Sequence, residues 1–230
     1  DELDLDTYFK EQLTETYKKG LEQNKGIQYS TPDELREFYQ DGVEIIKSFK
    51  KDKIKWFGLR GWRLIGCEVP IVYPIKGKTN LFMKGYIDLV MYNENTDSFT
   101  IYDIKTSTRG WGDREKKDES KIQQILLYKQ FFSEQFGVPL DKIDVEFFIV
   151  KRKVWEESEF VQKRIQEFKP ANGKNKMGKA NESLKAFINA VFNLDGTFNS
   201  ATHTPTPEKY ACKYCPYSSK KELCDKAILS

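Results

Sequence analysis

Two aspartates and a lysine stand where they could hold a divalent ion and activate water: Asp88, and further along an Asp-x-Lys triplet formed by Asp103 and Lys105. In a strand, side chains two positions apart emerge on the same face, so Asp103 and Lys105 share one. A turn-prone stretch at 93–97 separates their segment from the one carrying Asp88. A turn centred between Asn95 and Thr96 sets Asp88 opposite Asp103, with Cβ atoms ~5 Å apart. Facing carboxylates in a half-buried sheet repel, and a cation between them removes the conflict. Magnesium takes a few carboxylate oxygens plus waters, and two aspartates with a backbone carbonyl such as that of Ile104 supply that set. Lys105 beside it can orient or help deprotonate an attacking water and offset charge on a phosphoryl group. The set suits phosphodiester hydrolysis. An Asp-x-Lys triplet alone is common by chance and by itself reads as an ordinary pair on an exposed strand.

These residues need a sheet to hold them. Strand patterns run over 62–73, 81–92 and 98–106, the last two forming a hairpin across the turn. In its first strand Met83, Gly85, Ile87, Leu89 and Met91 line one side, while Lys84, Tyr86, Asp88 and Tyr92 point to the other, more polar side. A helix is expected over 120–137, followed by a short apolar strand at 145–150, which suggests a crossover. Upstream, Leu5, Phe9, Leu13, Tyr17 and Leu21 recur at steps of four, giving an amphipathic helix that ends near Gly26. Thr31, Pro32 and Glu34 form a capping-box start for a second helix carrying Leu35, Phe38, Ile45, Ile46 and Phe49. Both helices are expected to pack on the sheet. Pro170, Gly173 and Gly178 punctuate a basic loop before another amphipathic helix with Leu184, Phe187, Ile188, Val191 and Phe192. The division expected is a helical region at 1–60, a core with a basic insertion at 61–200, and a cysteine-rich tail at 201–230 packed on the core.

Composition admits this plan. The 230 residues are 39% hydrophobic and 32% charged, enough for a packed interior with a soluble surface. No run approaches the ~20 apolar residues of a membrane span, and the acidic opening does not resemble a secretory signal, so a cytoplasmic location is expected. A net charge of +3 is too balanced to establish a polyanionic partner by itself. Local clusters say more: Lys151, Arg152 and Lys153 are candidates for phosphate contact, set against the plainer reading of a solvated basic face.

Three segments in order, Lys84-Gly85-Tyr86-Ile87-Asp88, Ile101-Tyr102-Asp103-Ile104-Lys105-Thr106 and Gln124-Ile125-Leu126-Leu127-Tyr128, resemble the motifs of the PD-(D/E)XK nuclease superfamily. More narrowly they are similar to its RecB-like branch, which includes phage-encoded exonucleases and CRISPR adaptation nucleases with a cysteine cluster. The resemblance implies an α/β restriction-endonuclease-like core, a central mixed β-sheet flanked by helices. It also implies a magnesium- or manganese-dependent nuclease acting on DNA, with Glu68 as an upstream acid reaching the metal beside Asp88 and Asp103. Gln124 and Tyr128, four apart on a helix, share a face and can reach the site edge or the substrate backbone. Just past the catalytic strand, Arg109 suits a phosphate, and Trp111 either stacks on a base or covers the core. Roles in replication, recombination or repair follow by similarity, alongside proteins of those processes in a bacterial or phage-infected cell. Members of this branch usually carry a histidine upstream of the first catalytic acid, whereas the single histidine here is His203, so exonucleolytic and endonucleolytic modes stay open.

Cys212 and Cys215 form a Cys-x2-Cys knuckle with Cys224 downstream, a soft-metal spacing. His203 would complete a zinc site, whereas Cys67 would complete the four-thiolate set that holds an iron–sulfur cluster in the resembling families. Three reduced cysteines with no metal are the remaining reading.

Overall fold

The computed structural model describes residues 4–155, 157–160, 162–201 and 206–228. Helix α1 (Leu5–Gln23) is capped by Asp4, whose carboxylate accepts the Asp6 N–H, and stops at Asn24 before Lys25 and Gly26, both at positive φ. None of its residues is buried. Its apolar stripe rests on α2 (Pro32–Phe57), where Phe9 stacks on Tyr39 at 6.1 Å. Of the two opening helices, therefore, α2 is the one seen to cover the sheet. It begins with the expected capping box: Thr31 Oγ1 accepts from Glu34 N–H and the Glu34 carboxylate accepts from Thr31 N–H. Its last turn brings Trp56 and Phe57 onto Tyr102 and Phe148.

Five strands, β1 (Trp62–Pro74), β2 (Phe82–Asn93), β3 (Ser98–Ser107), β4 (Ile143–Lys151) and β5 (Ile165–Phe168), lie side by side in chain order. Neighbours are antiparallel except β3 and β4, which run parallel. That step needs a crossover, supplied by the short α3 (Asp113–Lys116) and by α4 (Glu119–Phe136). Gly137, left-handed at φ 68, ends α4.

Both sheet faces are covered. Under α4 lie Ile71, Ile87, Val90, Ile101, Val145, Phe147 and Ile149 against Ile125, Leu126 and Phe132. Under α2 lie Met91, Tyr102, Phe148 and Ile165. Burying each such side chain contributes roughly 1.5–3 kcal/mol, which explains why β4 is apolar on consecutive positions.

The later chain departs from expectation. Gly178 lies inside α5 (Lys174–Val191) and does not end a loop. Met177 and Ala180, on either side of it, are buried in the α4-side core, and that packing offsets the ~1 kcal/mol a helical glycine costs. A last short helix, α6 (Lys209–Lys213), carries Cys212. No helix among the described residues is long and apolar enough to cross a membrane.

Candidate active site

Strands β2 and β3 pair in the register the turn demands, from Asn93↔Ser98 to Leu89↔Tyr102. The ladder stops there, one step before the two aspartates. Beyond that point β2 stays with β1 and β3 with β4. Asp88 bridges the split, its Oδ2 accepting the Ile104 N–H at 2.6 Å, so a carboxylate takes the place a β2 carbonyl would have held. Ile104 thus meets Asp88 through its N–H.

Simple alternation fails at this point. Ile87 and Val90 both belong to the α4-side core, whereas Leu89 and Met91 face α2. The five apolar positions from Met83 to Met91 therefore do not share a side, and the pleat breaks at Asp88. A matching irregularity lies in β1, where the pairs Cys67↔Leu89 and Val69↔Ile87 bracket Glu68 at φ +50. A non-glycine residue in the left-handed region re-aims its strand locally, as bulges do. Glu68 stands level with Asp88 but is exposed.

Asp103 is 3% exposed. Lys105 Nζ lies 2.8 Å from its Oδ2 and 3.2 Å from its Oδ1, and donates to Gln124 Oε1 at 3.0 Å. Gln124 Nε2 in turn reaches the Tyr128 hydroxyl at 3.4 Å. Gln124 is exposed at the site edge as expected, while Tyr128 is buried and backs Gln124 from beneath. Burial pushes the Asp103 carboxyl above the usual range; Lys105 opposes that shift, and the charge of Asp88 adds to it. Lys105 Nζ sits beside the buried Asp103 Oδ2 as an ion pair, and no group among the described residues makes a hydrogen bond of proper geometry to that oxygen. A buried carboxylate beside a second one fits a hard divalent cation, which needs such oxygens and removes their repulsion. Among the described residues no group of three or more His, Cys, Asp or Glu is arranged to hold a metal.

The basic candidates divide. Arg109 is exposed and Lys151 half-buried, and both line one pocket. Arg152 turns to Asp41 at 3.9 Å and over the Phe38 ring, and Lys153 pairs with Glu37 and Asp41. These two cations are committed to α2. Trp111 is 7% exposed, packed on Phe147 at 5.1 Å with its backbone clamped by both ends of the Gln166 amide. Its ring belongs to the core, the second of its two expected readings. Sequence reasoning passed over Gln166, and also Trp155, which rims the same pocket as Arg109; a lone aromatic in a polar segment carries no periodic signal.

Cys212 is buried, Cys215 and Cys224 are half-buried, and Cys67 is exposed on β1, all four free. The absence of a three-residue metal group among the described residues covers them too. His203 lies outside the described residues.

A mixed sheet with a helical crossover, carrying two acids and a lysine where adjacent strands part, defines an α/β nuclease of the restriction-endonuclease-like type. The model of the PD-(D/E)XK nuclease superfamily matches residues 1–221, and the chain belongs to that superfamily. Membership carries the coarse assignment of a metal-dependent nuclease. No curated protein matches the chain.

Proposed function

We propose that the protein is a magnesium- or manganese-dependent deoxyribonuclease of the RecB-like branch, acting as an exonuclease in DNA replication, recombination or repair in the cytoplasm of a bacterial or phage-infected cell. Asp88 and Asp103 would hold the metal, which when bound supplies Lewis acidity to the scissile phosphate and its attacking water. Asp88 is fixed for this by the Ile104 N–H and Asp103 by burial, so neither carboxylate must be ordered at the moment of binding. Lys105 has three ammonium protons, of which Asp103 and Gln124 take two. The third is available to the attacking water or to a phosphoryl oxygen as water oxygen bonds to phosphorus and the leaving oxygen departs. Gln124, held against Tyr128, keeps the ammonium pointed there.

The observation that carries this reading is the buried carboxylate of Asp103 set beside a second carboxylate and a positioned lysine. Burial and the neighbouring charge of Asp88 both penalise the ionised Asp103, a cost that Lys105 offsets only in part and that a bound cation would remove. The test is cleavage of end-labelled DNA with magnesium. Asp103→Asn and Lys105→Ala should each lose roughly 10²–10³-fold in rate; parental rates in both variants reject the site. Closed circular DNA should stay intact, and its cleavage would convert the reading to an endonuclease.

A further inference from the structure

Beyond Lys105 the end of β3 opens into a pocket of about 550 Å³, separate from the carboxylate pair, whose lining includes Arg109, Lys151, Lys153, Trp155 and Gln162. Its place relative to the catalytic residues follows from strand register. Lys105 pairs with Ile149 and Ser107 with Lys151. Phe147 and Ile149 lie under α4, so Lys151, two further along, emerges on the face that Ile101, Asp103 and Lys105 share. Thr108, also on the pocket wall, is three residues past Lys105, ~10 Å of extended chain. The wall is not a loose loop: Arg152 N–H donates to Ser107 O and Lys153 N–H to Thr108 O, both at 2.9 Å, continuing the β3–β4 contact past its last paired residues.

The charges in this pocket are unequal. Lys153 is neutralised by Glu37 and Asp41, and the neighbouring Arg152 and Arg164 also turn to Asp41. Arg109 and Lys151 have no ion-pair partner among the described residues. Burial, with the Arg164 charge nearby, pushes the Lys151 amine below its usual range. At the rim stands Trp155, 67% exposed. The chain has four tryptophans; Trp111 is buried and Trp56 and Trp62 are half-buried in the α2-side core. Trp155 is the one whose ring is offered to solvent.

Two cations with no ion-pair partner among the described residues, next to an exposed indole, match an anion joined to a flat ring. A phosphate alone would leave the indole unused, and a base inside a duplex has no free face for it. We propose that this pocket is a subsite for one unpaired nucleotide of the substrate strand, with Arg109 and Lys151 taking its phosphate and Trp155 stacking on its base. The proposal rests on the nuclease reading for the identity of the substrate and extends it to strand state: the chain grips a single-stranded segment beside the carboxylates.

The test measures binding without cleavage. The full chain in EDTA is titrated with a short oligothymidylate, with a blunt hairpin duplex and with an acidic peptide, following tryptophan emission. Oligothymidylate should quench the emission, and Trp155→Phe should remove that quenching. A double variant Arg109→Ala, Lys151→Ala should bind oligothymidylate at least roughly tenfold more weakly with unchanged circular dichroism. Equal oligothymidylate affinity in parent and double variant, equal quenching by the blunt duplex, or quenching by the acidic peptide alone would each overturn the subsite. Failure of the nuclease reading looks different: tight oligothymidylate binding with no cleavage once magnesium is added.

Discussion

Asp88 Oδ2 accepts the Ile104 N–H at 2.6 Å, so one carboxylate both closes the gap between parting strands and leaves its other oxygen to the site. Asparagine can keep the first role while losing the charge needed for the second. Asp88→Asn should therefore stay within about 1 kcal/mol of the parent in urea unfolding, whereas Asp88→Ala, which orphans the amide, should lose about 1–3 kcal/mol. Added magnesium or manganese should raise the melting temperature of the parent but not of Asp88→Asn, because a ligand stabilises only the state that binds it. Equal metal-induced shifts in both would remove Asp88 from the metal site.

Gly85 lacks a side chain for a reason that involves Tyr128. A Cβ at Gly85 would sit 2.8 Å from Tyr128 Cε1, and the ring, itself buried, has little room to retreat. Gly85→Ala should displace the ring, cost about 1–3 kcal/mol by overpacking, and loosen the Tyr128–Gln124–Lys105 chain. Cleavage rate on DNA should fall in Gly85→Ala by more than the unfolded fraction explains, measured beside a melting curve. Tyr128→Phe, which keeps the ring and drops only the 3.4 Å contact to Gln124, should lose little stability. A Gly85→Ala protein with parental rate and stability would show that the ring does not support the site.

Much of the site was legible because it is local. The 93–97 turn fixed the β2–β3 register, the spacing of Asp103 and Lys105 fixed their shared face, and the capping box at Thr31 fixed the start of α2. The break in pleat at Asp88 was not legible. Helices cover both sides of the sheet, so apolar residues occur on both, and an unbroken apolar series from Met83 to Met91 conceals a change of face. Nor could the chain order reveal that Glu37 and Asp41 neutralise Lys153, or that the Gln166 amide clamps Trp111. Those are contacts between distant segments, and β5, only four residues long, is too short to show a period.

Trp111 offers a direct contrast between packing and recognition. Its ring lies against Phe147 and Phe168, and Lys121 sits over it at 5.3 Å. Trp111→Ala should cost about 3–5 kcal/mol, as large aromatic truncations in a core do. Trp155→Ala, at an exposed rim, should change stability by no more than about 0.5 kcal/mol. Urea midpoints of the two variants check this, and a Trp111→Ala midpoint near the parent's would return that ring to the list of strand contacts.

On the opposite sheet face, Glu146 is 3% exposed, its Oε1 has no hydrogen-bond partner among the described residues, and Lys169 approaches Oε2 at 3.4 Å. Burial pushes its carboxyl up; Lys169 opposes this, and the charges of Glu167 and Asp144 add to the rise. A carboxyl whose folded value is raised favours the protonated folded state. Its stabilising effect is full below the unfolded value, about 4.5, declines as pH climbs towards the folded value, and is absent above it. Glu146→Gln has no such titration. Relative to the parent it should therefore gain stability as pH rises through that window, reaching about 1 kcal/mol at neutral pH, the scale of an uncompensated buried polar group. Urea unfolding of both proteins from about pH 4.5 to about pH 8 reads this as diverging curves. Parallel curves would mean that Glu146 titrates alike in the folded and unfolded chains, and its burial would then carry no pH-dependent cost.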